Sequence, residues 1–348
     1  MNEEGKYIYG IINSNTHGSL ESYDIEDKKA YSIPYKDISV IVSNEEIVDY
    51  THMHRDVLAR LLVRHQKVIE KIMSLGYTII PLRLGTFAID KADAKDILNK
   101  GYILIKDIFK KMRGKIEIDV VCTWSDLTLV LKELNEEKEI KEYREMLIAR
   151  SKGITVDDQM KVGFMLKKAL DDKRERYAFK IQSALKNVSH DLKIHELMDD
   201  KMIINSAFLI NKDSQKEFDR KIESLNNEFA EKLNFRCVGP LPPYSFYTLE
   251  IEKMQFKDVD WARKKLGLLN DFSTKDEIKK AYRSRASSSH PDKYPDTPGM
   301  EREFNEIKMA YKTLVKYYEA CKQANKTEVC YFKEEEFKKN SVLVRIRK

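Results

Sequence analysis

The sequence predicts an α+β protein in which two α/β units, joined through a helical insertion, are followed by a separate all-helical module. Three observations predict it. Short runs rich in β-branched and aromatic residues alternate with amphipathic helical periods through residue 252. The stretch from Leu127 to about Leu197 is helical in pattern and dense in charge. After Val259 the chain turns helical and basic.

With 348 residues, 42% of them hydrophobic, the chain can bury two or three cores, so a disordered protein is excluded. Charges break every apolar run well before about 18 residues, which removes a transmembrane helix. The opening MNEEGKYIYGII reads as neither secretory signal nor anchor, so the expected compartment is the cytoplasm, with no membrane partner. Cys122, Cys237, Cys321 and Cys330 lie far apart and form no CxxC, which makes free thiols the expectation over disulfides or structural zinc. Residues 261–348 hold 21 Lys/Arg against 13 Asp/Glu, a net +8, leaving −2 for residues 1–260. A basic C-terminal region on a near-neutral body calls for an acidic partner, either nucleic acid or an acidic protein surface.

The first unit opens with KYIYGII (6–12) and ISVIVS (38–43) as strands, separated by a polar connection that carries turn signals and Pro34. Val57, Leu61, Leu62, His65, Val68, Ile69 and Ile72 then recur at helical spacing up to Gly76. TIIPLRLGTFA (78–88) is β-prone, 92–112 is a second amphipathic helix, and KIEIDVVCTW (115–124) is a strand again. The charged middle reads as a helical hairpin packed on a sheet, its halves separated at Gly153 and Thr155, the second capped by Asp157 or Asp158. MIINSAFLINK (202–212) is a strand, a helix begins near Asp213, and FRCVGPLPPYSFYTLEI is strand, turn and strand. Both units are read as ferredoxin-like. The expected domains are 1–125, 126–255 with the helical segment, a helical module at 259–322, and a basic tail at 323–348.

Several residues could carry chemistry. Arg83 at a strand end could hold an anion, but a lone Gly85 beside it makes no phosphate loop, and pairing with a carboxylate is favoured. His52 and His54 beside Asp56 lack the spacing of a metal site and read as a helix start. His65 sits within the apolar stripe of its helix as a core histidine. Pro242 and Pro243 stiffen a corner whose aromatics, Tyr244 and Phe246 among them, either point inward or dock a hydrophobic partner. No nucleophile, base and pocket stand together, and no metal or cofactor is expected.

In "SSSHPDKYPDTPG" (287–299), His290, Pro291 and Asp292 form a loop between two helical runs, DEIKKAYR and FNEIKMAYKTL. A general base needs an orienting carboxylate and a pocket, and neither is evident around this loop. Lys279, Lys280, Arg283 and Arg285 make the preceding helix basic, which points to docking. From WARKKLGL through HPDK to FNEIKMAYKTL, over about residues 259–322, the chain resembles the J domain of DnaJ-type co-chaperones. The resemblance implies that His290, Pro291 and Asp292, with Lys279, Lys280 and Arg283, contact a DnaK-type ATPase and stimulate its ATP hydrolysis. Arg285, Ser287 and Ser289 stand where that family usually has apolar residues. Their presence predicts helix packing looser by about 1–3 kcal/mol per missing large side chain.

YIYGII (7–12), HQKVIEKI (65–72), IIPLRLGTFA (79–88) and GPLPPYSF (239–246) together resemble the GvpL/GvpF family of gas vesicle proteins over residues 5–252. Leu241 and Leu84 stand where that family more often has aromatics, and both swaps keep the position hydrophobic. The resemblance implies a non-enzymatic accessory role in nucleating or assembling the hydrophobic vesicle shell. The partners it implies are the shell protein, other accessory proteins and, through the J domain, a DnaK-type chaperone. The alternative is a nucleic-acid-binding protein whose basic end, VRIRK, holds phosphates; no RNP motif, zinc finger or helix-turn-helix supports it.

Overall fold

The computed structural model describes residues 4–13, 23–25, 28–50, 52–150, 153–229, 231–289, 299–325 and 327–347. The chain divides into two compact units, Met1–Lys111 with Tyr247–Lys348 and Met112–Phe246. The first is thus built from both ends of the chain, an arrangement that composition read along a line does not reveal.

The first unit begins with β1 (Glu4–Asn13), β2 (Tyr23–Ile25), β3 (Lys28–Tyr35), β4 (Ile38–Glu46), α1 (Arg55–Ser74), β5 (Ile79–Pro81), β6 (Phe87–Ala88) and α2 (Lys91–Met112). The sheet order is β2-β3-β4-β1-β5, with β6 also on β1, and its pairings are antiparallel. Central β1 buries Tyr7 through Ile12 without interruption, as a strand covered on both faces must. The connection expected between the first two strands contains β3. Ala30 and Ile33 are buried there, and Lys36, at φ 52°, turns the chain into β4. Along α1 the buried positions are His65, Val68, Ile69 and Ile72, one face at helical spacing, whereas Leu62 is exposed.

The second unit contains β7 (Lys115–Trp124), α3 (Leu127–Asn135), α4 (Lys138–Ile148), α5 (Val156–Lys186), β8 (Asp191–Ile194), β9 (Met202–Asn211), α6 (Gln215–Phe229), β10 (Leu233–Leu241) and the single turn α7 (Tyr244–Tyr247). Its antiparallel order β10-β7-β9-β8 is that of a split βαβ, or ferredoxin-like, unit with three helices in the first crossover. The expected two-helix insertion is therefore three helices, and the helical reading to Leu197 is corrected by β8. A turn through Asn187–His190 ends α5 before β8 pairs with β9. The cap of α5 is Thr155 rather than either aspartate. Its Oγ1 accepts from Asp158 N–H (3.2 Å), and the Asp158 carboxylate accepts from Thr155 N–H (3.1 Å), a capping box. Leu170, Ile181 and Leu185 of α5 join Val120, Cys122, Phe208 and Phe218 in the core.

The first unit resumes with β11 (Leu249–Lys253), α8 (Phe256–Leu266), β12 (Phe272–Thr274), α9 (Lys275–Ser288), α10 (Met300–Asn325), β13 (Val329–Tyr331), α11 (Glu334–Asn340) and β14 (Val342–Ile346). Helices α8, α9 and α10 enclose Val259, Ala262, Leu266, Ile278, Ile307, Ala310 and Leu314. Of the three residues expected to loosen the packing, Arg285 and Ser287 are exposed and take no core position, and Ser289 is half-buried. Contact with this core comes from Ile278, Ala281, Tyr282 and Ala286, and Tyr282 stacks on Tyr311 at 4.3 Å between ring centroids. Residues expected as a basic tail fold back: β13 pairs with β12, and β14 pairs with β11 over five residues. Arg345, within VRIRK, bonds Glu250 and Glu252, so it is not a free phosphate ligand. Among the described residues no helix is long and apolar enough to cross a membrane.

Candidate partner-docking site

Helix α9 starts at a capping box. Thr274 Oγ1 accepts from Glu277 N–H (3.3 Å), and the Glu277 carboxylate accepts from Thr274 N–H (2.7 Å). With the start fixed, Ile278 faces the core and Lys279, Lys280 and Arg283 lie exposed on the surface. None of the three has a carboxylate partner among the described residues, so their charge is available to an incoming acidic surface. Arg285, also exposed, lies over the end of α8: a Cβ on Gly267, the left-handed cap residue, would meet its Nη2 at 3.0 Å. A cation there favours the helix terminus. His290, Pro291 and Asp292 fall outside the described residues.

The Pro-Pro aromatic corner is built inward. Pro242, Pro243 and Phe246 are buried and Tyr244 is half-buried, so a docking patch made of these four is corrected by their burial. Sequence reasoning missed what holds the corner. Glu117, buried on β7, accepts from both Ser245 N–H and Ser245 Oγ at 2.8 Å, and His195 Nε2 lies 3.1 Å from the same hydroxyl. Burial drives the Glu117 carboxyl well above the usual carboxylate range and raises that of Asp119 as well. The Ser245 hydroxyl that would be a nucleophile is committed to Glu117, which makes the group a clamp rather than a catalytic triad. Alternation along β7 masks it: Glu117 and Asp119 fall with Lys115 and Thr123 on the register opposite Ile116, Ile118, Val120 and Cys122, where polar residues are ordinary.

The first sheet also buries polar groups. Tyr7 Oη and His65 Nδ1 are 2.7 Å apart, Ser43 Oγ donates to Glu45 Oε1 (2.8 Å), and Arg64 Nη2 donates to Glu45 Oε2 (2.7 Å). Burial pushes His65 down to about 4 and Tyr9 up to about 12. The Arg83 and His54 expectations agree with the geometry. Arg83 Nη1 donates to Glu250 Oε1 at 2.5 Å, and the His54 ring caps α1 by accepting from Asp56 N–H. Among the described residues no cluster of His, Cys, Asp and Glu could hold a metal ion.

Comparison with known proteins assigns the two regions. The profile of the gas vesicle synthesis protein GvpL/GvpF family matches residues 5–248, and that of the DnaJ domain matches residues 264–320. Neither family is catalytic. Gas vesicle protein F of Dolichospermum flosaquae is 22% identical over 246 residues, 70% of this chain and 98% of that protein. Chaperone protein DnaJ of Chlorobium phaeobacteroides is 52% identical over 46 residues, 13% of this chain and 12% of that protein. The crystal structure of gas vesicle protein GvpF from Anabaena sp. PCC7120 shares the fold, with a TM-score of 0.60 and 23% identity over 70% of this chain and 97% of that one. With a profile match across most of its length, the chain belongs to the GvpL/GvpF family of gas vesicle synthesis proteins, and it carries a DnaJ domain behind the family region.

Proposed function

We propose that the protein assists nucleation or assembly of the hydrophobic gas vesicle shell, and that its DnaJ domain recruits a DnaK-type chaperone to shell subunits that would otherwise aggregate. The observation that carries this reading is the outward basic face of α9, Lys279, Lys280 and Arg283, on an intact helical core in the same chain as a gas vesicle family region. On this reading the protein works in the cytoplasm beside the growing vesicle. His290, Pro291 and Asp292 make the chaperone contact together with that face, and the family region meets the shell protein and other accessory proteins.

The test is recovery of partners from vesicle-forming cells with the full chain and with His290→Gln. Truncation before the J module is a poor tool, because the partner strand of β11 lies at Val342–Ile346. Both chains are expected to retain gas vesicle proteins, and only the unsubstituted one to retain the DnaK-type chaperone. Recovery of nucleic acid without any gas vesicle protein would overturn the reading in favour of the nucleic-acid alternative.

A further inference from the structure

Strand β10 closes one end of the second unit's sheet and pairs only with β7 among the described residues. From Asn234 to Pro240 every residue but the half-buried Phe235 is exposed. Ser125 N–H donates to Lys232 O (3.0 Å), and this sets the antiparallel alternation. Asn234, Arg236 and Val238 turn their main-chain groups to β7, so Leu233, Phe235 and Cys237 turn theirs outward. Pro240 blunts only the far end of this edge. A groove of about 310 Å³ runs beside it, lined by Asp219, Ile222, Glu223 and Asn226 of α6 and by Phe235 and Cys237 of β10. Ile222 and Phe235 supply apolar lining. Asp219 and Glu223 supply two carboxylates that have no cation or hydrogen-bond donor among the described residues.

We propose that this edge and groove dock an extended segment of a protein partner that adds to β10 as a fifth strand, with apolar and basic residues taking turns at every second position so that both fall on the same face. Main-chain pairing supplies the affinity, and the side chains that fall on the α6 side read the groove. Apolar ones meet Ile222 and Phe235, and basic ones meet Asp219 and Glu223. The charge selects the occupant. A second copy of this chain paired through β10 would bring two acidic grooves together with no cation between them, and a nucleic acid has the wrong sign. The site belongs to the second unit and does not depend on the shell or chaperone reading.

Cys237 provides the test, because it is exposed in the groove while Cys122, Cys321 and Cys330 are buried. The probes are an eight-residue Leu-Thr-Lys-Thr repeat, here the Leu-Lys peptide, which carries Leu and Lys on one face of the strand, its Leu-Glu counterpart with Glu in place of Lys, and the Leu-Lys peptide N-methylated at every residue. Alkylation of Cys237 by iodoacetamide in the full-length protein is followed by mass spectrometry. The Leu-Lys peptide at ten times its dissociation constant is expected to slow alkylation about tenfold. The Leu-Glu and N-methylated peptides should leave it unchanged, and the double variant Asp219→Lys/Glu223→Lys should lose the protection. Equal protection by the Leu-Glu peptide, by the N-methylated peptide or in the double variant overturns the proposal, as does a dimer that shields Cys237 without peptide.

Discussion

At the scale of single residues, pH acts most directly on His65. Burial holds its folded pKa at about 4, below the usual 6.5, so the fold binds it neutral. The stabilising contribution is complete above about pH 6.5 and is lost as pH falls from there through 4, by up to roughly 3 kcal/mol. His65→Gln should flatten the fall in urea midpoint across that window, and an unchanged slope would remove His65 as its source. Glu117 acts with the opposite sign. Its folded pKa is raised by burial, so its contribution is present below the ordinary carboxylate value and is lost as pH rises through the folded one. Glu117→Gln should therefore gain stability relative to the parent at alkaline pH, read as a higher urea midpoint at pH 9 than at pH 5 once the parent's own change is subtracted. His65 was legible in the sequence because it occupies a core register of an amphipathic helix. The Glu117 clamp was not, because its partners Ser245 and His195 are 128 and 78 residues away in sequence and neither carries a local signal.

At the scale of elements, the sequence was most readable where a period runs long. Helices α1, α2, α9 and α10 follow their apolar spacing closely, and the strands with continuous β-branched runs, β1, β7 and β9, stand where expected. Short elements whose stability comes from pairing were missed. Strand β8 carries no alternation strong enough to separate it from the helix before it, and β3 hides among polar residues until β4 supplies its ladder. The same holds for β14, whose partner lies about 90 residues upstream in β11. Val342, Leu343 and Val344 are buried, and Gln323 of α10 bonds both Val344 N–H (3.0 Å) and Val344 O (2.7 Å). Gly101 of α2 is close-packed against the Val344 side chain. Deleting residues 342–348 should thus destabilise the first unit by about 5 kcal/mol, at 1.5–3 kcal/mol for each buried aliphatic side chain. Each unit contains one tryptophan, Trp261 in the first and Trp124 in the second, so each transition can be followed with the other indole replaced by Phe. A deletion that leaves the Trp261 transition in place would show that β14 is dispensable.

At the scale of the whole molecule, the chain joins a gas vesicle family region to a DnaJ domain, and the C-terminal strand that closes the DnaJ-bearing half pairs with a strand next to the family region. The two families were legible as ordered sets of motifs, whereas their interleaving into one compact unit was not, since pairing between chain ends leaves no periodic trace. The central claim is that the DnaJ domain acts on a chaperone, and the direct measurement is single-turnover ATP hydrolysis by the DnaK-type protein of the same cells. The full chain should accelerate hydrolysis, and moderate salt should weaken the effect by screening the α9 charges. His290→Gln, and separately the triple change Lys279→Glu/Lys280→Glu/Arg283→Glu, should abolish most of the acceleration while leaving circular dichroism unchanged. A folded, unsubstituted chain that leaves the hydrolysis rate unaltered would contradict the claim.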